Sequence, residues 1–432
     1  MRTISEMLKP RDNVFSDTAR EDVLNLTDFV ENRIDADKFF RENFQTQGMT
    51  VLFDTAFSRF KSESDTGVIK LTQAMGGGKT HSMLALGLLA QNSELREKLL
   101  GSNYAGIGEI KVVSFSGREN ADFGIWGSIA EQLGKKEFFK DYYSPLKAPG
   151  ETSWVELLKG QKTLILLDEL APYLENAKSI TVGNSDLSKV TMTALSNLFT
   201  ALGKEQLANV CLVFSDLKAV YESGSELLQS SFRELEAEAN RVAIEVTPVA
   251  LNSDEIYHIL QKRLFEDVGG FEYSDNVNNV AIAYKSSVEK SKKLGFTNYT
   301  PEAVFEGIKD SYPFHPSIKD LYARFKENQN FQQTRGLIKL MRQVVRQFYE
   351  SGMAKKNYLI NVFEFNLNEQ KMLSQIRQIN PSLEEAINHD IAQDGKSIAE
   401  IIDSEMPENK GVTQDIAKLL LVSSLSTAHH GL

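Results

Sequence analysis

Cysteine is nearly absent: Cys211 is the only one in 432 residues. One thiol excludes an internal disulfide framework, and its place in an apolar run reads as a small buried hydrophobe rather than a nucleophile. Long hydrophobic runs are missing as well. Uncharged apolar stretches such as 164–167 and 419–422 fall far short of the roughly 20 residues that span a bilayer. The N-terminus shows no basic segment followed by an apolar core, because Glu6, Lys9, Arg11 and Asp12 are already interspersed there, which argues against export. These absences together point to the cytoplasm. Positive charge is also in deficit, with 48 Lys plus Arg against 59 Asp plus Glu and a net charge of −11. The whole molecule is therefore no electrostatic partner for nucleic acid, and any such contact has to be local.

What is present is an ordinary globular composition, 41% hydrophobic and 25% charged. The length suggests about three domains at roughly 150 residues each. Between 68 and 246, short apolar runs alternate with helical patterns, the mark of an α/β fold with a parallel sheet. Five strands are expected at 68–72, 110–115, 163–167, 210–214 and 242–246, each rich in Val, Ile and Leu as strands buried on both faces should be. After Pro248 helical patterns dominate through Glu350. Residues 1–48 form a charged lead-in with helices expected near 19–31 and 37–44, docked by Phe29, Phe39, Phe40 and Phe44. The expected division is the lead-in 1–48, an α/β core 49–250, a helical domain 251–355 and a last region 356–432. An apolar helical run at 416–425 is followed almost at once by Leu432, so the chain reads as the front part of a longer protein.

The segment from Val68 through Gly76-Gly77-Gly78-Lys79-Thr80-His81 passes from strand through a glycine loop into a helix, the context a P-loop requires. Glycines let successive N–H groups point inward at phosphate, and the helix N-terminus adds its positive dipole end. Met75, Gly76, Gly77, Gly78, Lys79, Thr80 and His81 are the expected ATP contacts, with Lys79 reaching the β- and γ-phosphates and Thr80 offering its hydroxyl to Mg²⁺. The loop departs from the consensus at Gln73, where a glycine is usual. The competing reading is a plain strand-to-helix turn with a solvated lysine. A second motif weighs against it: 163–167 is an apolar strand ending in Asp168 and Glu169. There Asp168 can hold Mg²⁺ and Glu169 can polarise the attacking water.

Ser215, at the end of the fourth strand, is a candidate sensor of the γ-phosphate, with a strand-end cap as the alternative. Arg233 and Arg241 are candidates for an arginine supplied to a neighbouring copy, although pairing with Glu234, Glu236 and Glu238 is the commoner fate of such residues. In the helical region, Thr334 reads as an N-cap and Arg335 as a second sensor. Arg335, Lys339, Arg342 and Arg346 share one stripe of that helix, opposite Leu337, Ile338, Met341, Val344, Val345 and Phe348. Lys339, Arg342 and Arg346 offer a local face for a DNA backbone; a solvated basic face is the alternative. Tyr312-Pro-Phe-His315-Pro reads as a rigid aromatic turn in which His315 bonds structurally.

The blocks Met75-Gly-Gly-Gly-Lys-Thr-His, Ile125-Trp-Gly-Ser-Ile-Ala, Leu166-Leu-Asp-Glu-Leu, Tyr312-Pro-Phe-His-Pro and Thr334-Arg-Gly-Leu-Ile-Lys-Leu resemble, in order, motifs of large prokaryotic AAA+ ATPases of phage-defence islands. The likeness is to the BREX-associated ATPases of the BrxC and PglY kind, with an origin-recognition-like core, and it covers about 1–430. It implies a five-stranded P-loop sheet of the AAA+ type, a helical lid, and a helical or winged-helix-like region starting after about 356. It further implies partners that include a DNA methyltransferase, other defence proteins and DNA. It strengthens Lys79, Thr80, Asp168, Glu169 and Arg335 as nucleotide contacts. With the loop's departure at Gln73, the expected activity is binding of ATP with Mg²⁺ and slow hydrolysis, the nucleotide state controlling assembly or DNA engagement.

Overall fold

The computed structural model describes residues 1–16, 24–73, 76–119, 122–144, 146–215, 235–249, 254–266, 268–319, 333–361, 363–406, 408 and 411–424. Five strands form the central sheet: β1 (Val68–Leu71), β2 (Lys111–Ser116), β3 (Thr163–Asp168), β4 (Val210–Ser215) and β5 (Ala243–Val246). Each lies within one residue of its expected bounds, because runs of Val, Ile and Leu bounded by polar turns leave few other ways to bury them. The order across the sheet is β2-β3-β4-β1-β5, all parallel. The glycine-loop strand β1 thus sits one strand away from β3, with β4 between them. The register brings Ser116 opposite Asp168 and Leu71 opposite Ser215, so all the candidate strand ends open on one carboxyl edge.

Helices cover both faces. On one side α1 (Gln47–Phe60) and α2 (Lys79–Gln91) bury Leu52, Phe53, Leu84 and Leu86 against Ile69, Leu164 and Val213. On the other, α3 (Gly124–Gln132) and α5 (Leu187–Leu202) pack Trp126, Ile129, Leu195 and Phe199 on Phe115, Leu167 and Phe214, while α4 (Leu170–Ala177) follows β3. β2 is an outer strand, and its free edge is partly occupied by Gln132. The Gln132 Oε1 accepts from Ser114 N–H at 2.9 Å and its Nε2 donates to Ser114 C=O at 2.7 Å. That imitates a neighbouring strand and blunts an edge that would otherwise invite pairing.

Beyond the sheet lie α6 (Glu255–Leu264), α7 (Phe271–Lys293), α8 (Pro301–Ser311) and α9 (Gln333–Glu350), followed by α10 (Gln370–Ile379), α11 (Ile398–Glu405) and α12 (Val412–Ser424). From 363 on, the described residues form helices and turns without a strand. The lead-in divides between the two bodies: Ile4, Leu8 and Val14 join the helical core, and Leu26, Phe29 and Phe39 join the sheet core. Its described helices are shorter than expected, Leu26–Val30 and Ala36–Glu42, each started by a capping side chain, Asn25 and Asp35. Part of the first expected helix, 17–23, lies outside the described residues. Tyr312 is fully buried; its carbonyl accepts from Tyr273 Oη at 3.2 Å and from Gln261 Nε2. His315 N–H donates to Ile360 C=O at 2.9 Å, and its Nδ1 lies 2.7 Å from Ser317 Oγ, so the aromatic turn is structural as expected. No described helix is long and apolar enough to cross a membrane.

Candidate functional site

The chain leaves β1, turns through Gly76 and Gly78 at φ +83° and +93°, and enters α2 at Lys79. Those angles are open to glycine and strained for other residues. The first helical bond runs from Ser82 N–H to Gly78 C=O at 2.9 Å, so the preceding N–H groups face out of the helix end, where an anion is favoured. Lys79 Nζ donates to the Gln73 carbonyl. Ala74 and Met75 lie outside the described residues.

Gln73 explains its own departure from the consensus. Its buried amide donates from Nε2 to Val249 C=O at 3.1 Å and accepts at Oε1 from Val249 N–H at 3.1 Å. One side chain thus makes a two-bond rung between the loop and the segment after β5, which a glycine could not supply. His81 is placed differently from the expectation of a nucleotide contact: its ring stacks on Phe39 at 4.6 Å and 22°. Burial there, with the Arg263 charge nearby, pushes its pKa down to about 3, so the ring is neutral. Its backbone N–H alone stays at the helix end.

At the sheet edge the Thr80 hydroxyl donates to Asp168 Oδ2. Asp168 is 4% exposed and its Oδ1 accepts from Glu169 N–H at 2.9 Å. Glu169 N–H also donates to Ser215 Oγ at 3.2 Å, so three of the candidate residues from β3 and β4 meet at one point. Glu169 sits at φ +50°, an uncommon conformation for a non-glycine residue. Sequence reasoning missed two neighbours just past β2. Gly117 N–H donates to Asp168 C=O at 2.9 Å, and a Cβ at 117 would lie 1.8 Å from the Glu169 carbonyl oxygen. Arg118 Nε lies 2.9 and 2.8 Å from the two carboxylate oxygens of Glu169. The signal was available: Ser116-Gly-Arg118 ends a strand at the same edge, where α/β sheets gather their ligand groups.

The other candidates stand apart. Arg335 is half-buried in the first turn of α9, and no ion pair joins it to Asp168 or Glu169 among the described residues. Thr334 lies inside that helix rather than capping it, since α9 already includes Gln333. The expected phosphate-facing stripe is corrected: Arg342 is buried at 6% exposure, and Arg346 Nε pairs with Glu350 at 3.0 Å with its side chain 14% exposed. Only Lys339 of that trio remains exposed, and its Nζ bonds Gln378 of α10 at 3.0 Å. α10 lies beside α9, where its Gln378 bonds Lys339 and its N-cap Glu369 bonds Gln347. Arg241 pairs with Glu238 one turn away at 2.9 Å, and Arg233 lies outside the described residues.

A loop opening on a helix N-terminus, an oxygen pair made of Thr80 and Asp168, and the order β2-β3-β4-β1-β5 make an α/β core with a five-stranded parallel sheet and a P-loop-like turn at its carboxyl edge. Residues 122–249 match the DUF499 N-terminal domain and residues 252–428 the DUF499 second domain. The first match contains β3 and β4; the glycine loop precedes both. No curated protein matches the chain. Among solved structures, Cdc6p from Pyrobaculum aerophilum is 13% identical at a TM-score of 0.34, over 77% of this chain and 69% of that one. Drosophila ORC, solved bound to DNA, is 10% identical at a TM-score of 0.38, over 99% of this chain and 86% of the other.

Proposed function

We propose that this protein binds ATP with Mg²⁺ at the glycine loop and hydrolyses it slowly. The observation that supports this most is the Thr80 hydroxyl set against Asp168 across two strand positions, beside a helix N-terminus. One hydroxyl and one carboxylate make the partial oxygen shell that Mg²⁺ accepts when phosphate and water complete it. In this reading Lys79 and the loop N–H groups hold phosphate, Ser215 senses the γ-phosphate and Glu169 orients the attacking water. Arg335 reports the nucleotide from the lid. Phosphate release by the purified chain tests it: Lys79→Ala should abolish binding and turnover, and Glu169→Gln should cut turnover about 100-fold or more while binding persists. Turnover unchanged by both substitutions would sink it.

A second reading, a nucleotide-locked switch with little turnover, draws support from Arg118, which occupies both oxygens of the Glu169 carboxylate. Co-purified ATP without phosphate release would favour it. The motif resemblance supports a role in phage defence, with nucleotide state controlling assembly with defence partners such as a DNA methyltransferase, or DNA engagement. Cells carrying the intact system with Lys79→Ala should lose protection in a plating assay; undiminished protection would remove the nucleotide from that role.

A further inference from the structure

The antiparallel hairpin of α7 and α8 ends in a tip whose large side chains lie exposed. The buried residues of α7 all fall at 276–281, and from 282 to 300 none is buried. At about 1.5 Å per residue the outer part of this helix carries its end well clear of the core. There Lys290, Lys292 and Lys293 are exposed, next to Leu294, Phe296 and Tyr299 at 67%, 79% and 72% exposure.

The backbone of the tip is nonetheless held. Gly295 at φ +77° donates to Lys292 C=O at 3.1 Å and Phe296 N–H donates to Ser291 C=O at 2.9 Å, the paired bonds of a Schellman stop. In that motif the residue in the place of Phe296 commonly packs back on the one in the place of Ser291. A serine offers no such contact, and Phe296 points to solvent instead. After residues 297–300, Pro301 starts α8. The three lysines close no ion pair among the described residues, whereas the nearby Lys285 and Glu302 neutralise each other at 3.0 Å. Glu289 is the one acid among them.

We propose that this tip is a docking site for single-stranded nucleic acid, with Phe296 and Tyr299 stacking on bases and the lysines facing the phosphates. Charge complementarity calls for a polyanion, and a preset tip with two exposed rings fits unpaired bases, which every sequence offers as flat π faces. A lipid surface is less suited, because Thr297, Asn298 and the Tyr299 hydroxyl would have to leave water together with Phe296. The overall charge of −11 fits contact through a projecting tip rather than a broad face.

Fluorescence anisotropy with labelled oligothymidylate and oligouridylate tests this on the full chain, the two probes separating DNA from RNA. The double variant Phe296→Ala/Tyr299→Ala should lose about tenfold or more in affinity. Replacing all three lysines with glutamine should make the log affinity versus log salt slope shallower by about 2 between roughly 50 and 200 mM salt. The binding assay is run without ATP, and the tip double variant should release phosphate from ATP as the parent does, so failure of the nucleotide reading and failure of this one are distinguishable. Absence of oligonucleotide binding by the parent chain, or binding indifferent to both tip variants, overturns the proposal. So does tip-dependent binding to phosphatidylserine vesicles with none to either oligonucleotide.

Discussion

Around Glu169, two residues decide where one carboxylate can be. Gly117 is there because the Glu169 backbone runs against it, leaving no room for a methyl group. Gly117→Ala is expected to push Glu169 out of register, costing about 1–3 kcal/mol of stability and at least about tenfold in any ATP turnover. A melting curve and a phosphate-release assay check both, and an unchanged variant would contradict the packing described. Arg118 acts through charge. With Arg118 and Glu169 side chains 70% and 35% exposed, the pair adds roughly 0.5 kcal/mol or less to stability. Its effect lies in holding the carboxylate, so Arg118→Ala should leave the melting temperature nearly constant and raise basal turnover several-fold. A fall in turnover would assign Arg118 to nucleotide contact instead.

β1 carries a lysine where an apolar residue would be expected, and the reason lies in other elements. Lys70 is 2% exposed, and its Nζ donates to Glu236 at 3.2 Å, Asn240 at 2.9 Å and Glu245 at 3.1 Å. All three ammonium protons are used to tie the glycine-loop strand to β5 and to the residues just before it. Gln73 makes a second tie from the same strand end to Val249. Lys70→Met keeps the volume and removes the positive charge that faces Glu236 and Glu245; because Glu245 is half exposed, a loss of about 1–2 kcal/mol is expected. Urea denaturation should show a lower midpoint with an unchanged slope. A stabilised variant would mean that burying the ammonium costs more than its three bonds return.

Over the whole molecule, the titration of Glu364 couples α12 to α7. Burial raises its pKa to about 7, Asp415 on α12 adds to the rise, and bonds from Asn361 and the charge of Lys418 oppose it; Tyr284 on α7 also faces it. The ordinary carboxyl value is 4.5, so between about 4.5 and 7 the folded chain binds more protons than the unfolded one. Stability therefore falls as pH rises through that window. Glu400 works in the other direction: burial opposes its ionisation, but bonds from Asn368, Gln393 and Ser397 hold it down at about 2, so its contribution is lost only below about 4.5. Because the neutral His81 adds stability as pH rises towards about 6.5, the informative quantity is a difference: from pH 5 to 7.5 the melting temperature of the parent should fall relative to that of Glu364→Gln. A difference that stays constant over that range would place the titrating group elsewhere.

The strands, the glycine loop and the Asp168–Glu169 strand end were legible in the sequence because each is a local matter. Apolar runs, positive-φ glycines and a strand followed by acids depend on neighbours a few residues away. What came together only in the tertiary structure depends on distant partners: Arg118 on Glu169, Gln73 on Val249, Lys70 on three acceptors beyond position 235. The stripe of α9 shows the same limit from the other side. Periodicity grouped Lys339, Arg342 and Arg346 on one face, but it carries no information on what packs there, and burial of Arg342 was settled by the fold.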